Sequence, residues 1–532
     1  MSPIRARRWV PWLLLGILGV AATLRLWGVR WGLPDALHPD YSYHPDEAFH
    51  MAWARLLVQG QYMAQHFMYG GTLHYTVLNA FWRYASWLGT ALDGVNPLAH
   101  ALLVGRWCVV GFSLLTLLVV AATGRRLVDW PTGLLAAAFL ALAPAHVFLA
   151  QNVRPDELGT LLTALSGLLG AQVLRGQASG DARRFLLGGL LAGVATGLRF
   201  PLAVFGIAPL AGLLLREGPA AIRQAATWRL LALQVLLAIG GYLLASPHSV
   251  LEPDWLRAGL GLQQQYQSGL FLDAIDGSTG LRAVWWLLLR EALGTPLYAL
   301  TVVGLPLALA HRRRETLLVI LVALPYLVAT TFVTWLVVRY TLPATPFLAL
   351  LAAIGWRSAA QRAPKLAALV LAGVLGTSLA ADVAFARLQG ASNVREQLAA
   401  WLAREARAGD TIVVFRNYAL EEFYSPSLPA GTSGIVVNLT DDVALAPLLA
   451  KPDVAFLVVP EPVYRSLDRL GQEHPRASTR RLGELLANDP AFKLTYTLKL
   501  PVPLAGVDFS DWFRSQDFFV INPGYRVYQR RR

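Results

Sequence analysis

Long apolar segments separated by short polar loops fill most of the chain from residue 9 to residue 386. A segment of roughly 20 apolar residues crosses the ~30 Å hydrocarbon core of a bilayer as an α-helix. The pattern predicts about eleven such spans, at approximately 9–28, 99–122, 132–150, 157–174, 184–200, 201–215, 229–246, 292–310, 316–335, 340–356 and 364–386. We therefore expect a polytopic α-helical membrane domain over residues 1–386.

From residue 387 onward the hydrophobic pattern changes to that of a water-soluble domain. The segment "SNVREQLAAWLAREARAGD" predicts a helix, with Ser392 as its N-cap and Gly409 after its end. Short apolar runs rich in β-branched residues predict buried strands, in "TIVVF", "GIVVNL", "VAFLVVP" and "FKLTYTLKL". This alternation predicts a small α/β domain over residues 387–532, without a glycine-rich motif for binding a nucleotide.

Positive charge alternates from loop to loop along the membrane domain. Arginine and lysine accumulate in the cytoplasmic loops of membrane proteins. Every second loop is rich in arginine here, beginning with Arg5, Arg7 and Arg8 near the N-terminus. We therefore expect a cytoplasmic N-terminus, long outer loops at 30–98 and 247–291, and an extracytoplasmic C-terminal domain.

The segment "TLHYTVLNAFWRYASWLGTAL" at residues 72–92 leaves the number of spans open between eleven and twelve. It has helical periodicity, but it carries enough polar residues to lie along the membrane surface. A twelfth span at this place would reverse the orientation of everything that follows. The arginine pattern therefore favours eleven spans.

The composition is that of a membrane protein and does not fit a soluble or a nucleic-acid-binding protein. Of the 532 residues, 55% are hydrophobic and 15% are charged, whereas a soluble protein has about 25% charged residues. The formal net charge is +13, but most arginines of the membrane domain lie in short loops, where they contact anionic lipid head groups. We therefore expect no nucleic-acid partner. The single cysteine, Cys108, excludes an intramolecular disulfide and a cysteine-based metal cluster.

The stretch "YHPDEAFH" at residues 43–50 places two carboxylates shortly after the first span. Asp46 and Glu47 follow Pro45, and acidic side chains in the first turn of a helix are common because they complement its dipole. The alternative is catalytic, since a carboxylate at the membrane surface can act as general base toward an acceptor hydroxyl or amide. A carboxylate needs close positioning or desolvation for this role, and the edge of a membrane cavity provides both.

A second charged cluster lies in "QNVRPDELGT", residues 151–160, between two predicted spans on the outer side. Asp156 opens the next helix, so it too has a structural explanation. Arg154 in the same short loop could pair with Asp46 or with an anionic substrate.

Arginines at the outer ends of spans depart from the positive-inside trend. Arg339, which Tyr340 follows, and Arg199 both occupy such positions. A long basic side chain that reaches back to the interface beside a tyrosine is the structural explanation. The functional alternative is a phosphate site, because the always-charged guanidinium fork binds phosphate in bidentate fashion.

Histidines are concentrated in the first outer loop, at His38, His44, His50, His66 and His74. The group formed by His44, Asp46, Glu47 and His50 could hold a divalent metal. No spacing of known metal-site mechanics accompanies it. We therefore expect that no metal is required for the chemistry, with a divalent ion as the alternative.

Several stretches together resemble one family, in the order in which they occur. The first outer loop from "HPDEAFH" onward, "NVRPDE", "SPHSVLEPDW" and "RYTLPATP" are similar to segments of bacterial glycosyltransferases of family 39. These enzymes are relatives of the protein O-mannosyltransferases and of the aminoarabinose transferase that modifies lipid A. The resemblance covers roughly residues 10–390. It implies a GT-C fold and sugar transfer from a polyprenyl-phosphate donor at the outer face of the bacterial cytoplasmic membrane.

The resemblance also implies roles for individual residues. The implied catalytic residues are Asp46 as general base, Glu47 as its supporting neighbour and Asp156 as the second acidic site. The implied contacts to the donor phosphate or the substrates are Arg154, Arg199, Arg339, Tyr340, His248 and Tyr266. Relatives of this kind invert the anomeric centre and need no metal for the chemistry. The expected partners are the lipid-linked donor, a protein, lipid or glycan acceptor, and membrane lipids.

Two other classes of function stay open. The first is a transporter or flippase of a lipid-linked sugar, and the second is a non-catalytic assembly protein that binds partners through its C-terminal domain. Transporters usually carry ionisable residues near the bilayer midplane. The carboxylates of this chain cluster at its outer loops, which favours the enzyme.

Overall fold

The structure is a computed structural model, and it describes most of the chain. The described residues are 3–35, 38–61, 71–87, 96–176, 178–267, 281, 283–333, 337–391, 393–416, 425–439, 444–473 and 476–531. His66 of the first outer loop and Ser392, the predicted N-cap, lie outside these ranges.

Helices form nearly all of the described part of the membrane domain. In chain order they are α1 (Pro3–Trp27), α2 (Pro45–Val58), α3 (Gly71–Trp87), α4 (Pro97–Leu127), α5 (Trp130–Ala141), α6 (Pro144–Phe148), α7 (Asp156–Arg175), α8 (Asp181–Leu198), α9 (Ala208–Glu217), α10 (Ala225–Ala245), α11 (His248–Leu251), α12 (Pro253–Gln267), α13 (Leu289–Leu293), α14 (Thr295–His311), α15 (Arg313–Thr330), α16 (Thr345–Ala360) and α17 (Pro364–Gly390). Tighter turns connect several of them, as 3₁₀ helices at Leu149–Gln151, Ala178–Gly180, Phe200–Ile207, Pro219–Arg223 and Val338–Ala344 and a π-helix at Ala283–Leu288.

Seven helical segments within the described residues are long and apolar enough to cross a membrane. They are Trp9–Trp27, Pro97–Leu127, Asp156–Arg175, Phe200–Glu217, Ala225–Ala245, Val338–Ala360 and Pro364–Gly390. Two bent pairs raise the number to nine if each pair is one span: Trp130–Ala141 with Pro144–Gln151, bent by 68°, and Val284–Leu293 with Thr295–His311, bent by 119°. The predicted class, a polytopic α-helical membrane protein, is confirmed.

The two other predicted spans, 184–200 and 316–335, are helical as well. They fall in α8 and α15, which are 18 residues long each. Each of these two helices carries three charged residues among its first four, Asp181, Arg183 and Arg184 in α8 and Arg313, Arg314 and Glu315 in α15. Of the surface segment predicted at 72–92, the described residues 72–87 lie in α3, which has 17 residues and is not among the membrane-spanning segments of the described chain.

Burial separates the lipid-facing helices from the central ones. Helix α10 exposes Val235, Leu236 and Leu244, as a helix in contact with lipid does. By contrast, α7 and the segment Val338–Ala360 are buried along most of their length. The centre of the membrane domain is therefore the pair formed by these two segments, and their N-terminal ends carry the charged residues described below.

The C-terminal domain (residues 394–531) is a mixed sheet with helices on both faces. Its strands are β1 (Thr411–Arg416), β2 (Ser433–Asn438), β3 (Val454–Pro460), β4 (Phe492–Leu498), β5 (Pro503–Leu504), β6 (Val507–Asp508) and β7 (Tyr525–Arg530). Its helices are α18 (Val394–Glu405), α19 (Leu445–Ala450), α20 (Glu461–Leu470), α21 (Ala477–Asn488) and α22 (Gln516–Phe519). The five-stranded sheet has the order β2-β1-β3-β7-β4, and β5 pairs with β6 in a separate ribbon.

The register of this sheet explains why it is covered on both sides. Strands β1, β2 and β3 are parallel, and β7 runs antiparallel to both β3 and β4. Alternate residues of β1 and β3 enter two different apolar clusters, one on each face. The four predicted strands and the small α/β domain are thus present, whereas β5, β6 and β7 are additional strands that the sequence pattern did not predict.

The first helix of this domain begins one residue later than predicted. Asn393 is the N-cap of α18, and its side chain accepts a hydrogen bond from the backbone N–H of Arg395 at 2.9 Å. Glu396 completes a capping box by accepting from the backbone N–H of Asn393.

A short segment of the C-terminal domain, residues 509–521, packs into the membrane domain; we call it the docking segment. Phe513 lies against Phe385 of α17 with 4.2 Å between ring centroids, and Phe518 packs edge-on to Phe148 of α6. Residues of this segment belong to the same apolar core cluster as the membrane helices. The docking segment is therefore part of the packed interior rather than a loop on its surface.

Candidate functional site

Helix α2 presents the two carboxylates of "HPDE" in its first turn. Pro45 occupies the first helical position, and His44 is the N-cap, whose Nδ1 accepts a hydrogen bond from the backbone N–H of Asp46 at 3.3 Å. Burial lowers the pKa of His44 to about 4, which keeps its imidazole neutral and able to accept this bond. The helix start thus fixes where Asp46 and Glu47 lie.

Glu47 is fully buried, and its carboxylate accepts hydrogen bonds from several groups of the protein. Arg106 of α4 donates from Nε to Oε1 at 2.9 Å and from Nη2 to Oε2 at 2.6 Å. The backbone N–H of Val153 donates to Oε1 at 2.8 Å, and the Ser42 hydroxyl donates to Oε2 at 2.8 Å. These contacts join α2 to α4 and to the loop before α7, so Glu47 positions its neighbour Asp46.

Asp46 has a different environment from Glu47. Its side chain is 29% exposed, and its Oδ2 accepts a hydrogen bond from Nη1 of Arg154. Burial alone would raise the pKa of Asp46, but the positive charges of Arg154 and Arg339 outweigh this and hold the pKa well below its usual range. Asp46 is therefore an ionised carboxylate with access to a ligand.

Arg154 links Asp46 to the second acidic position. Its Nε donates to Oδ2 of Asp156 at 2.9 Å, while its Nη1 reaches Asp46. The other oxygen of Asp156, Oδ1, lies 3.0 Å from Nη2 of Arg199. Asp156 is 5% exposed, so it acts as a buried bridge between two guanidinium groups.

Local sequence places each of these residues at an element end. Asp156 begins α7 after Pro155, and Arg199 ends α8, because Pro201 cannot continue an α-helix and the chain changes to a 3₁₀ helix at Phe200. Arg339 lies in the 3₁₀ helix Val338–Ala344 before α16.

Arg339 pairs with a residue of the docking segment. Its Nη1 donates to Oδ1 of Asp517 at 2.7 Å, and its backbone N–H donates to Oδ2 of the same carboxylate at 3.0 Å. The ring of Tyr340 lies 5.7 Å from the guanidinium carbon of Arg339 and 5.8 Å from that of Arg199. Tyr340 thus lies between the two arginines.

The fold therefore brings six charged side chains together from distant parts of the chain. This charged cluster consists of Asp46, Asp156, Asp517, Arg154, Arg199 and Arg339. Among its three carboxylates, Asp46 is much more exposed than the other two. A ligand that reaches the cluster meets Asp46 before it meets the buried carboxylates.

The remaining predicted contacts lie elsewhere or outside the described side chains. His248 begins α11, and its Nδ1 is 3.1 Å from the hydroxyl of Thr72 in α3. This contact ties the second outer loop to the first. Tyr266 lies on α12, and its side chain is outside the described residues.

The four described histidines of the first outer loop, His38, His44, His50 and His74, are buried, and His50 and His74 lie among aromatic rings. His50 stacks on Tyr75 with 5.8 Å between centroids, and its ring meets that of His74 edge-on at 5.5 Å. Burial lowers the pKa of His74 to about 3. No group of three or more histidine, cysteine, aspartate or glutamate side chains within the described ranges is arranged to hold a metal ion.

Two residues of the site were not predicted from the sequence. Arg106 carried a usable signal, because a charged residue inside an apolar span needs a partner. Asp517 carried none, since it lies in a soluble-type segment 178 residues from its partner Arg339.

Comparisons with known proteins agree with the predicted family. Residues 81–244 match the family model "dolichyl-phosphate-mannose-protein mannosyltransferase". This match confirms the resemblance found in the sequence, and the matched residues include Arg154, Asp156 and Arg199. No curated protein matches the chain.

Three solved structures are similar to the chain at low sequence identity. ArnT from Cupriavidus metallidurans, bound to undecaprenyl phosphate, is 14% identical over 98% of this chain and 98% of its own, with a TM-score of 0.46. The oligosaccharyltransferase AglB from Archaeoglobus fulgidus, in complex with an inhibitory peptide and a dolichol-phosphate, is 12% identical over 95% of this chain and 74% of its own, with a TM-score of 0.48. Arabinofuranosyltransferase AftD from Mycobacteria is 16% identical over 98% of this chain and 41% of its own, with a TM-score of 0.43.

Proposed function

We propose that this chain is a membrane glycosyltransferase that moves a sugar from a polyprenyl-phosphate donor to an acceptor at the outer face of the cytoplasmic membrane. The single observation that carries the proposal is the charged cluster, in which a partly exposed carboxylate, Asp46, lies beside Arg154 and within the field of Arg339. The match of residues 81–244 to the mannosyltransferase family model supports the same reaction class.

Asp46 is the general base in this proposal. The acceptor oxygen or nitrogen forms a bond to the anomeric carbon while its proton passes to Asp46, and the bond from that carbon to the phosphate oxygen breaks. The electron pair of the broken bond stays on the polyprenyl phosphate. Attack from the face opposite the phosphate inverts the anomeric centre.

A base of low pKa is sufficient for this reaction because the leaving group is already good. A phosphate monoester departs without prior protonation, so the protein must position the acceptor and neutralise the departing charge. A pair of carboxylates that protonates a sugar leaving oxygen, as in glycoside hydrolysis, is not needed.

The arginines of the cluster bind the donor phosphate. Arg199 and Arg339 flank Tyr340, and a guanidinium can donate to phosphate through two parallel N–H groups. Arg154 contacts both Asp46 and Asp156, so it fixes their relative position and offsets their negative charge. Because the phosphate is anionic, its arrival draws these positive charges away from Asp46 and raises the proton affinity of the base when the acceptor is bound.

Donor turnover tests the proposal. The full-length protein is reconstituted in lipid vesicles that contain undecaprenyl-phosphate-linked sugars, with the tritium label on the sugar. The release of undecaprenyl phosphate and the formation of labelled product are measured. Asp46→Asn should lower the turnover number by at least a factor of about 100, the lower end of what a positioned base contributes. Asp40→Asn, an exposed acid in the same outer loop, is the matched control and should keep full turnover.

Undiminished turnover in Asp46→Asn would contradict the assignment of the base. Movement of the labelled lipid across the bilayer without turnover would instead identify a transporter. The exposed position of Asp46 at the start of α2, outside the membrane-spanning segments, is the observation that favours the enzyme over that class.

A further inference from the structure

Asp517 of the C-terminal domain lies inside the charged cluster of the membrane domain, and the proposed reaction gives it no role so far. Its carboxylate contacts Arg339 twice, at 2.7 Å to Nη1 and at 3.0 Å to the backbone N–H. The side chain of Asp517 is 1% exposed. A buried and doubly bonded ion pair fixes its members, unlike an exposed pair that samples many geometries.

Several contacts hold Asp517 at this place. Two residues before it, the backbone N–H of Ser515 donates to Oε2 of Glu291 at 2.8 Å, and Glu291 is itself buried. On either side, Phe513 and Phe518 pack against Phe385. The docking segment is thus held by an acid of the membrane domain and by aromatic packing, independently of Arg339.

We propose that Asp517 is a positioning residue of the active site, which orients the guanidinium of Arg339 toward the donor phosphate. This inference rests on the proposed function, in which Arg339 binds that phosphate. The C-terminal domain then completes a site whose other charged members belong to the membrane domain.

The chemistry of the guanidinium explains how one carboxylate can prepare it for another anion. The group is planar and carries five N–H donors in a rigid fork, so a contact at Nη1 sets the direction of the remaining donors. A buried guanidinium also needs a counter-charge while the donor is absent. Asp517 supplies that counter-charge, and it does so from the C-terminal domain rather than from the membrane helices.

An alternative role for Asp517, as an occupant of the phosphate site, predicts a different effect on binding. If Asp517 occupied the place of the donor phosphate, its removal would strengthen phosphate binding. Its second contact, to the backbone N–H of Arg339, favours orientation, because it holds the 3₁₀ helix Val338–Ala344 in place together with the side chain.

The test measures binding of undecaprenyl phosphate to the purified full-length chain in lipid nanodiscs, with undecaprenol as the phosphate-free probe. The wild-type chain should bind the phosphate lipid and not the alcohol. Asp517→Asn should weaken binding by about tenfold or more, the equivalent of one charge-assisted hydrogen bond. Asp517→Glu should restore part of the affinity, and Asp511→Asn, at an exposed acid of the same segment, should bind as the wild type does.

Two further variants separate orientation from general docking. Glu291→Gln loosens the contact to Ser515 and leaves the carboxylate of Asp517 in place, so it should change the affinity for undecaprenyl phosphate much less than Asp517→Asn does. Arg339→Gln should weaken binding by itself, and adding Asp517→Asn to it should cost little more, because Asp517 acts through Arg339.

Contrary results would overturn either the positioning role of Asp517 or the proposed donor. Unchanged or stronger binding in Asp517→Asn, an equal loss in Glu291→Gln, or fully additive losses in the double variant would each overturn the positioning role. Failure of the wild-type chain to bind undecaprenyl phosphate would overturn the proposed donor, and with it the function on which the inference rests.

Discussion

Glu47 of α2 and Arg106 of α4 form a fully buried ion pair in which two guanidinium nitrogens reach both carboxylate oxygens, at 2.9 Å and 2.6 Å. Nη1 of the same guanidinium donates to the carbonyl oxygens of Val29 and Trp31, each at 2.7 Å. One arginine therefore ties α2, α4 and the chain after α1 into a single unit. This unit is what holds Asp46 next to the loop that carries Arg154.

Glu47→Gln should destabilise the protein strongly. The change leaves Arg106 buried without its counter-charge, and breaking one partner of a buried pair costs about 3–5 kcal/mol. The free energy of unfolding of the membrane-inserted protein, measured by steric trapping in bicelles, should fall by this amount. Asp40→Asn, an exposed acid in the same loop, should leave it unchanged.

Replacing both partners tests whether the cost comes from the orphaned charge. Glu47→Leu combined with Arg106→Leu removes the pair as a whole and should destabilise the protein less than Glu47→Gln does. Equal losses in the two variants would mean that the cost of Glu47→Gln does not come from the charge of Arg106 left without a partner.

Arg154→Gln should change how turnover depends on pH. In the wild type the pKa of Asp46 lies well below its usual range, so Asp46 stays ionised across about pH 5 to pH 8 and protonation of the base causes no loss of activity there. Without Arg154, the largest of the charges that oppose the effect of burial is lost, so the pKa of Asp46 rises relative to the wild type. Activity should then fall as the pH is lowered, because a growing fraction of the base is protonated.

The measurement is the pH profile of kcat/KM for donor turnover. Arg154→Lys keeps a positive charge and should show a smaller displacement of the acidic limb than Arg154→Gln. Arg83→Gln, at an exposed arginine of α3, is the matched control and should keep the wild-type profile. A profile of Arg154→Gln that runs parallel to the wild type would show that Arg154 does not set the pKa of the base.

Arg199→Lys should raise KM for the lipid-linked donor. Nη2 of Arg199 lies 3.0 Å from Oδ1 of Asp156, and a lysine can hold that contact but cannot offer phosphate a second, parallel N–H group. Loss of one charge-assisted hydrogen bond corresponds to an increase of about tenfold. Arg257→Lys, in an exposed ion pair of the second outer loop, should leave KM unchanged.

A change in kcat with constant KM would contradict this assignment. It would place Arg199 in the chemical step rather than in donor binding.

Periodicity and charge were sufficient to predict most of the architecture. Every predicted span contains a helix, because an apolar segment of this length has no other way to satisfy its backbone in lipid. The bend of 119° between Val284–Leu293 and Thr295–His311 was not predicted, since hydropathy reports that a segment is apolar but not that it turns back. The bend matters, because it forms part of the surface on which the docking segment lies.

Five of the six members of the charged cluster were predicted, as was the pairing of Arg154 with Asp46, whereas Asp517 and its pairing with Arg339 were not. Each of these five residues was recognised by its place at a helix end that the charge pattern predicts to face outward, and the structure brings them together: Asp46, Arg154, Asp156, Arg199 and Arg339. The partner of Arg339 could not be predicted, because the pairing depends on how a soluble domain packs onto membrane helices. Such a contact leaves no periodic signal in either segment.

Gly294 of the membrane domain lies close to Trp512 of the docking segment, and it gives the last prediction. Gly294 has a φ of +77°, and a Cβ atom on it would lie 2.9 Å from the ring of Trp512. Gly294→Ala should therefore destabilise the protein in two ways, through the left-handed backbone conformation and through displacement of Trp512. The melting temperature of the purified protein should fall, and protease should cleave the docking segment more readily.

Gly218 provides a matched control for the backbone contribution. It has a φ of +85°, and a Cβ atom there would meet nothing within 4 Å. Gly218 has a ψ of 173°, a backbone region open essentially to glycine alone, so Gly218→Ala carries a conformational cost of about 1–3 kcal/mol without the steric one. Gly294→Ala should lower the melting temperature more than Gly218→Ala does, and Trp512→Ala in the Gly294→Ala background should remove the steric part of the difference. Equal effects of the two glycine substitutions would mean that Trp512 does not press on Gly294, and that the docking segment is held by its other contacts alone.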